Sequence, residues 1–468
     1  MHVIGIRCLS MKFDLILGNR NRFHSVCRNN TDWEENKKRK NMKIQHNAYS
    51  LVDNRIFHIL FLLFSFLVVS NFFNIRFLSL GLVKIIHWAF DIFLIVYSLY
   101  VISQQKIRHA FIKSLWFIIY FVGVVTLSIL VSRIVHNQNF VEGIRVSLIW
   151  YEYLFVFILF KMRITSEEVY KSIMIFSFIW MLCWIIGFCS PIVLFDASGG
   201  YNEDLVNTSR GVVRLKISGE MIMQLWGLWS LGLYIHNNRK RYLYYYLLCL
   251  LFTFLLVSRQ HILFYSICGL FYWLYRSSWF KRVVILLLVV LLFHYVLPKI
   301  EIYNNLVSLT EQQAKDNKGD VMNDVRMQAA DYYISEFNKS LTTIILGNGV
   351  FHFDSDYGKK ALNLGITKSY WLGDIGYVEI YVYFGIIGYF FFIILGWFVY
   401  KIKIANSLVG LKIFICFVYF TNVFSHSFDI SVLITSVILY LMCRENFIYI
   451  RMRRLSKYRL YLNSLSVH

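Results

Sequence analysis

Twelve long apolar segments constrain the fold of this chain more than any other feature of its sequence. A helix needs about 20 apolar residues to cross the roughly 30 Å of hydrocarbon in a bilayer. In lipid the backbone polar groups must be paired within the segment, which favours helices. Runs such as 285–292 lack the alternation of barrel strands. We therefore predict an all-α polytopic membrane protein with about 12 transmembrane helices. The predicted segments are residues 56–75, 84–103, 114–134, 145–160, 172–195, 217–236, 243–257, 261–275, 283–298, 374–400, 407–425 and 428–443.

Composition agrees with a membrane protein and argues against a nucleic-acid-binding one. Hydrophobic residues make up 58% of the 468 and charged residues only 16%, against roughly 25% in soluble domains. The net charge of +21, from 48 basic and 27 acidic residues, would suggest nucleic acid in a soluble protein. Membrane proteins, however, collect positive charge in their cytoplasmic loops. We therefore expect a lipid bilayer as the environment and no nucleic-acid partner. None of the eight cysteines forms a CxxC pair, so disulfide and metal roles are not expected.

The distribution of basic residues predicts which side of the membrane each loop faces. If the N-terminus is cytoplasmic, every short inner loop carries two or three Lys or Arg residues, as the positive-inside rule requires. Both termini would then be cytoplasmic, and residues 299–373 would lie outside, in the periplasm if the envelope is Gram-negative. The predicted organisation is a basic, disordered leader (1–55), transmembrane helices 1–9 (56–298), a large periplasmic loop (299–373), helices 10–12 (374–443) and a basic cytoplasmic tail (444–468).

Four arginines depart from this charge rule because they fall on the predicted outer side. Arg210 and Arg214 follow the fifth segment, Arg259 lies between two apolar helices, and Arg326 lies in a helix-like part of the long loop, 321–337. A guanidinium group keeps its charge and fits phosphate oxygens in pairs. Such groups would suit a pyrophosphate whose lipid tail stays in the bilayer. Lipid headgroups or neighbouring acids are the alternative partners. Arg259 is the sharpest candidate, since a charge between two spans needs a partner or a polar cavity.

Several other polar residues are weaker candidates for chemistry. Asp374 and His426 are possible general bases, although Asp374 could equally cap the helix that follows it. Asp91, Glu152 and Glu220 fall within apolar segments, where ionisable groups mark a cavity or a pairing. The sequence contains no HExxH, P-loop or GxSxG pattern and no metal-spaced cluster, so we expect neither a metal nor a cofactor.

The order of these features resembles the bacterial O-antigen polymerase and ligase superfamily. A Ser258-Arg259-Gln260 sequence ends one span, and a long loop with Arg326 follows. The turn Leu346-Gly347-Asn348-Gly349 comes next, and then Asp374-Ile-Gly-Tyr-Val-Glu at the start of a further span. The resemblance covers residues 205–430, and within it Gly347 and Gly349 would shape the loop's turn.

This resemblance implies a metal-independent glycosyltransferase with a GT-C-like fold. Such an enzyme polymerises undecaprenyl-pyrophosphate-linked oligosaccharide repeat units for O-antigen, lipopolysaccharide, capsule or exopolysaccharide, at the outer face of the inner membrane. Its partners would be a lipid-linked donor and acceptor, with a chain-length regulator as a further partner. Arg210, Arg214, Arg259 and Arg326 would bind the pyrophosphate, and Asp374 or His426 would act as the base.

The ligases are associated with a histidine shortly before the span that follows the loop. Here Asp374 is near that point and His352 is well upstream, which favours a polymerase over a ligase. A lipid-linked oligosaccharide flippase is the alternative from another class.

Overall fold

Helices make up almost all of the regular structure in the computed structural model. It describes residues 54–75, 78–104, 114–189, 206–207, 214–215, 217–291, 294–295, 297–299, 301–316 and 324–465. Residues 59–468 form one compact unit. The predicted leader lies outside the described residues except at its end. A two-residue antiparallel ladder joins β1 (Val206–Asn207) to β2 (Arg214–Leu215).

Helices overlap all twelve predicted segments. They are α1 (Asn54–Val69), α2 (Leu80–Ser103), α3 (Trp116–His136), α4 (Phe140–Tyr151), α5 (Phe155–Met162), α6 (Ser166–Cys189), α7 (Glu220–Asn237), α8 (Lys240–Leu255), α9 (Arg259–Arg276), α10 (Trp279–Leu291), α15 (Gly376–Lys401), α16 (Val409–Thr421), α17 (Ser427–Ile430) and α18 (Val432–Leu465). Among the described residues, five helices are long and apolar enough to cross a membrane: Gly81–Ser103, Trp116–His136, Phe140–Met162, Ser166–Cys189 and Gly376–Lys401. The chain is thus an all-α protein suited to a bilayer, and the count of about 12 crossings stays a prediction.

Polar residues extend several helices beyond the predicted apolar boundaries. α6 begins at Ser166 rather than 172, because Thr165 and Glu168 form a reciprocal capping box: the Thr165 amide donates to Glu168 Oε2 at 2.6 Å. α4 begins at Phe140 rather than 145, where the Asn139 side chain accepts from the Val141 amide. Its Arg145 stacks on Trp88 at 3.7 Å. Hydropathy therefore placed these helix starts too late.

The predicted loop at 299–373 is itself largely helical. Its described part contains α11 (Glu301–Asp316), α12 (Val325–Asp331) continued by a π-helical turn (Tyr332–Phe337), α13 (Leu341–Leu346) and α14 (Asp356–Lys368). The sequence predicts a helix-like stretch at 321–337, and the structure shows a helix there from Val325 to Phe337. α12 starts there because the Asp324 side chain accepts from the Arg326 amide at 2.9 Å.

Close packing of aromatic and small residues holds the helices together. Lipid tails are as apolar as the side chains, so helix association depends on van der Waals contact and hydrogen bonds. Phe121 of α3 stacks on Phe391 of α15 with ring centroids 4.0 Å apart. Gly410 of α16 lies so close to the α7 backbone that a Cβ there would overlap the Leu228 carbonyl.

Contacts between helices define one end of the bundle, which we call the loop end. α15 begins and α16 ends there, since the start of α15 at Gly376 packs against the carbonyls of Asn422 and Ser425. α3 also ends there, because His136 Nε2 lies 2.9 Å from Asn348 Oδ1 in the loop. α2, α4, α7 and α9 start at this end. The loop end is therefore the place to look for a site built from loop and helix residues.

Candidate active site

Three of the predicted site residues converge at the loop end. His426, in the turn after α16, places Nδ1 3.2 Å from the carbonyl oxygen of Gly373, the residue before Asp374. The guanidinium of Arg326, on α12, lies 5.9 Å from the ring centroid of Phe424 in that same turn. Three distant parts of the sequence therefore meet at one turn, as a binding site requires.

The surroundings of His426 favour its protonated, positively charged form. The Asp429 carboxylate raises the pKa of His426 to about 9, Glu379 and Asp374 add smaller effects of the same sign, and partial desolvation acts against them. The side chain is exposed to solvent. Gly373 allows the close approach, because a Cβ at that position would lie 3.1 Å from His426 Nδ1. A protonated imidazole suits the binding of an anion better than the abstraction of a proton.

Two carboxylates that the sequence analysis did not select lie beside His426. Glu379 is 8% exposed in the first turn of α15. The side chain of Tyr383, one turn further on, interacts with it electrostatically. Asp429 is half-buried in α17, and one of its oxygens accepts from the Ile430 amide at 2.7 Å. The sequence could have indicated Glu379 as a candidate site residue, because it is an ionisable residue in an apolar segment, as Asp91 and Glu152 are.

Asp374 lies at the rim of this cluster and does not cap the next helix. It ends a short 3₁₀ turn (Leu372–Asp374), and the N-cap residue of α15 is Ile375. The capping interpretation of Asp374 is therefore wrong. Its side chain is exposed and electrostatically coupled to both His426 and Glu379, so it is available to a substrate.

The position of Arg259 follows from how α9 packs on α16. Arg276, at the far end of α9, donates to Asn406 Oδ1 at 3.2 Å. Nearer the start of α9, Phe264 stacks on Phe420 with centroids 5.7 Å apart. The two helices are therefore antiparallel, and Arg259 begins α9 at the loop end, level with the turn that holds Phe424 and His426. Its side chain is half-buried.

The side chains of the other two predicted arginines lie outside what the structure describes. Arg210 lies outside the described residues. Arg214 is described only as a backbone member of β2, paired with Asn207. The adjoining Leu215 is buried. Their proximity to the other site residues stays a prediction.

The turn at 346–349 fixes the loop against the helix bundle. Gly347 and Gly349 both adopt positive φ, at 78° and 74°. The amides of Asn348 and Gly349 donate to the carbonyls of Val382 and Tyr383, at 2.7 and 3.0 Å. These carbonyls lie just before Gly385, where α15 is broken. The turn thus pairs backbone groups that the break leaves without helical partners.

Side chains at the end of α3 hold the next part of the loop. Gln138 donates to the Val350 carbonyl at 2.9 Å and accepts from the His352 amide at 2.9 Å. His352 lies 3.7 Å from the exposed carboxylate of Asp354. His352 therefore belongs to this loop anchor and not to the cluster around His426.

An apolar groove of about 330 Å³ lies along α15. Tyr377, Tyr381, Ile386 and Phe390 of α15 line it, and Ile334 of the loop closes one side. Tyr377 and Tyr381 lie in the first turns of the helix, at the same level as Glu379 but on a different face. The groove thus starts at the level of the polar cluster and continues down the helix.

No known protein-family model matches this chain, and no curated protein matches it. Its class follows from the fold alone: an all-α protein with apolar helices of membrane-spanning length and a polar cluster at one end of the bundle.

Proposed function

We propose that this protein is a polymerase of undecaprenyl-pyrophosphate-linked oligosaccharide repeat units, a metal-independent glycosyltransferase of the bacterial inner membrane. The observation that carries the proposal is the meeting of Arg326, Asp374 and His426 at one turn, beside an apolar groove. A substrate with an anionic pyrophosphate and a long lipid tail needs both kinds of surface. The positive-inside pattern of the sequence would put this end in the periplasm.

The proposed roles follow from the charges. An acceptor hydroxyl attacks the anomeric carbon of the donor, a carboxylate takes the hydroxyl proton, and the bond from carbon to the pyrophosphate oxygen breaks. Arg259, Arg326 and protonated His426 would stabilise the charge on the departing pyrophosphate, with Arg210 and Arg214 as further candidates. Glu379 joins Asp374 as a candidate base. The groove along α15 would hold the first part of the lipid tail.

Loss of Arg259 and of Arg326 tests this proposal. In a strain that depends on this gene for polymer, Arg259→Ala and Arg326→Ala should abolish long chains while the protein remains in the membrane at its normal level. Arg133→Ala is a matched control, because Arg133 is exposed at the same end and contacts only its local backbone in the described structure, the Asn137 carbonyl at 3.3 Å. Normal polymer in both site variants would overturn the proposal.

A flippase for lipid-linked oligosaccharides is the second candidate. A buried group of His87, Asp91 and Glu152 favours it, since ionisable residues within spans often serve coupled transport. Gene deletion separates the two. Loss of a polymerase leaves single repeat units on the lipid carrier at the outer leaflet, whereas loss of a flippase traps them at the inner leaflet. An O-antigen ligase would instead leave finished polymer on the lipid carrier.

A further inference from the structure

A second polar cluster lies inside the helix bundle. His87 and Asp91 are one turn apart on α2, and Glu152 opens the 3₁₀ segment (Glu152–Leu154) between α4 and α5. His87 Nε2 lies 3.3 Å from Glu152 Oε1 and 3.8 Å from Asp91 Oδ2. One potential ligand atom from each residue lies within 4.8 Å of the other two. Asp91 and Glu152 are 2% and 1% exposed.

This cluster lies well below the loop end. Asp91 is eleven residues beyond the start of α2 and Glu152 twelve beyond the start of α4. At 1.5 Å per residue they lie about 16 to 18 Å along their helices. That is close to the middle of a bilayer about 30 Å thick. Two carboxylates are expensive there unless a cation is present.

Each carboxylate also has an oxygen without a partner. Within the described part of the chain, Asp91 Oδ1 and Glu152 Oε2 are fully buried and have no hydrogen-bond partner. The backbone amide of Leu433 acts on Glu152 as a weak donor, and the Asp429 carboxylate is within electrostatic range of it. A buried acceptor left in this state costs about 1 to 3 kcal/mol, and more when it is charged. The two carboxylates thus have oxygens that no described protein group pairs with a hydrogen-bond donor.

We propose that His87, Asp91 and Glu152 bind a divalent cation of the zinc type. Zinc takes imidazole nitrogen and carboxylate oxygen at about 2.0 to 2.2 Å in tetrahedral geometry. Ligand atoms at those distances are about 3.3 to 3.6 Å apart. The 3.3 and 3.8 Å separations from His87 Nε2 are close to this range.

The surroundings of His87 fit a ligand role. Its Nδ1 lies 3.1 Å from Asn71 Oδ1. When Nδ1 donates its hydrogen to that acceptor, the lone pair of neutral imidazole is on Nε2, facing the carboxylates. This is the arrangement in which a histidine ligand is oriented by a second hydrogen bond. The His87 side chain is 16% exposed.

The ligand set favours zinc over the hard cations. Magnesium requires near-octahedral oxygen coordination and calcium six to eight oxygens. Three protein ligands with one nitrogen, plus one water, match zinc or cobalt. Two carboxylates and a neutral imidazole also balance a charge of +2. The ion would tie α2 to the break between α4 and α5, so it would stabilise the bundle and take no part in glycosyl transfer.

Metal titration of the purified protein in detergent tests the site. After removal of metal with a chelator, one equivalent of Zn²⁺ should bind and raise the unfolding midpoint. Co²⁺ should give the intense visible absorption of a tetrahedral site. Glu152→Gln and Asp91→Asn should weaken binding at least about tenfold, since even residues behind the ligands contribute that much. Each substitution keeps the shape of the side chain and removes one of two neighbouring like charges, so the variants should fold.

Asp354→Asn is the matched control. It alters the exposed His352–Asp354 pair in the loop, so it reports adventitious binding of metal to surface histidines. The proposal predicts unchanged affinity in this variant. Absence of stoichiometric binding, or equal binding by wild type and Glu152→Gln, would overturn it and leave a cluster that shares protons. The readout is independent of polymerase activity.

Discussion

The backbone of Gly347 lies directly against the backbone of Gly385, and both residues have positive φ, 78° and 62°. A Cβ on Gly385 would overlap the Gly347 amide nitrogen, and a Cβ on Gly347 would overlap the Tyr383 carbonyl. The loop turn thus enters the break in α15, two residues after Tyr383 and six residues after Glu379. The position of the loop over the candidate active site therefore depends on two residues without side chains.

Substitution of Gly347 by alanine should loosen the loop. The left-handed conformation alone costs an L-residue about 1 to 2 kcal/mol, and overlap with the α15 backbone adds to that cost. We expect a lower unfolding midpoint in detergent and faster proteolysis of residues 299–373. Gly123→Ala is the control, because a Cβ there meets nothing within 4 Å on helix α3. Equal stability of the two variants would contradict the proposed packing.

Asn348 should be the most sensitive polar residue of the loop. It is 1% exposed. It donates to Asn338 and, at 3.2 Å, to the Val382 carbonyl, and it faces His136 at 2.9 Å. Asn348→Ala leaves the buried Asn338 and the half-buried His136 without this partner, at about 1 to 3 kcal/mol for a buried group. The Val382 carbonyl keeps its bond from the backbone amide of residue 348. Asn363→Ala, at an exposed position of α14, should change the unfolding free energy by no more than about 0.5 kcal/mol. A similar loss in both variants would argue against a specific role for Asn348.

The helical membrane fold could be predicted because its signal is local. A span needs a run of apolar residues, and such runs are visible without knowledge of their neighbours. Helix starts were less predictable, since the capping box of Thr165 and Glu168 lies outside the apolar run. The fold of the loop was missed for a similar reason. Its helices pack through scattered residues such as Tyr357, which stacks on His136 with centroids 4.2 Å apart.

The candidate site was only partly predictable because its residues meet through tertiary contacts. Arg326 and His426 were selected from their residue types and their place relative to the spans. The pairing of His87 with Glu152, 65 positions apart, follows from helix packing that no sequence pattern reveals. The sequence also does not indicate whether His426 is charged, because the charge of a histidine depends on its neighbours in the folded protein. The Asp429 carboxylate decides that, by raising its pKa to about 9.

The dependence of the unfolding midpoint on pH should reveal whether His426 is charged in the folded protein. Its pKa rises from about 6.5 in the unfolded chain to about 9 in the folded protein. A raised folded pKa means that the charged form stabilises the fold below about pH 6.5, and that this contribution is lost as pH rises through about 9. We expect the unfolding midpoint to fall across this window in the wild type and to change less in His426→Gln.

Asp429→Asn separates this effect from general alkaline destabilisation. Without the carboxylate the His426 pKa should move back towards its usual value, so the fall in stability should shift to lower pH. Identical pH profiles for the wild type and both variants would show that His426 is not charged through Asp429.

Arg326 should contribute to anion binding through its shape as well as its charge. Its guanidinium lies over Phe424 and offers paired donors that a lysine lacks. We expect Arg326→Lys to bind inorganic pyrophosphate more weakly than the wild type, and Arg326→Ala more weakly still. Isothermal titration of the purified protein at two salt concentrations measures this, and the affinity should fall as salt rises. Lys339→Ala is the control, because Lys339 pairs with Glu336 at 2.9 Å on the exposed loop surface. Unchanged affinity in Arg326→Ala would remove this residue from the site.

Glu379 is the stronger of the two candidate bases, and substitution can separate it from Asp374. Glu379 is 8% exposed and interacts electrostatically with the side chain of Tyr383, so burial restricts its reorientation. Asp374 is exposed at the rim and free to reorient. A positioned base contributes about 10² to 10⁴-fold to a proton transfer. We therefore expect Glu379→Gln to lower kcat within this range with little change in KM. Asp374→Asn should mainly raise KM.

Polymer formation from a purified lipid-linked repeat unit measures both kinetic constants. Glu336→Gln is the control, since Glu336 is an exposed loop carboxylate paired with Lys339. If Asp374→Asn lost kcat and Glu379→Gln did not, the base would be Asp374, and Glu379 would serve to hold Tyr383 beside the break in α15. Full activity in both variants would exclude Asp374 and Glu379 as the base. Asp429 or a group on the substrate itself would then have to take the acceptor proton.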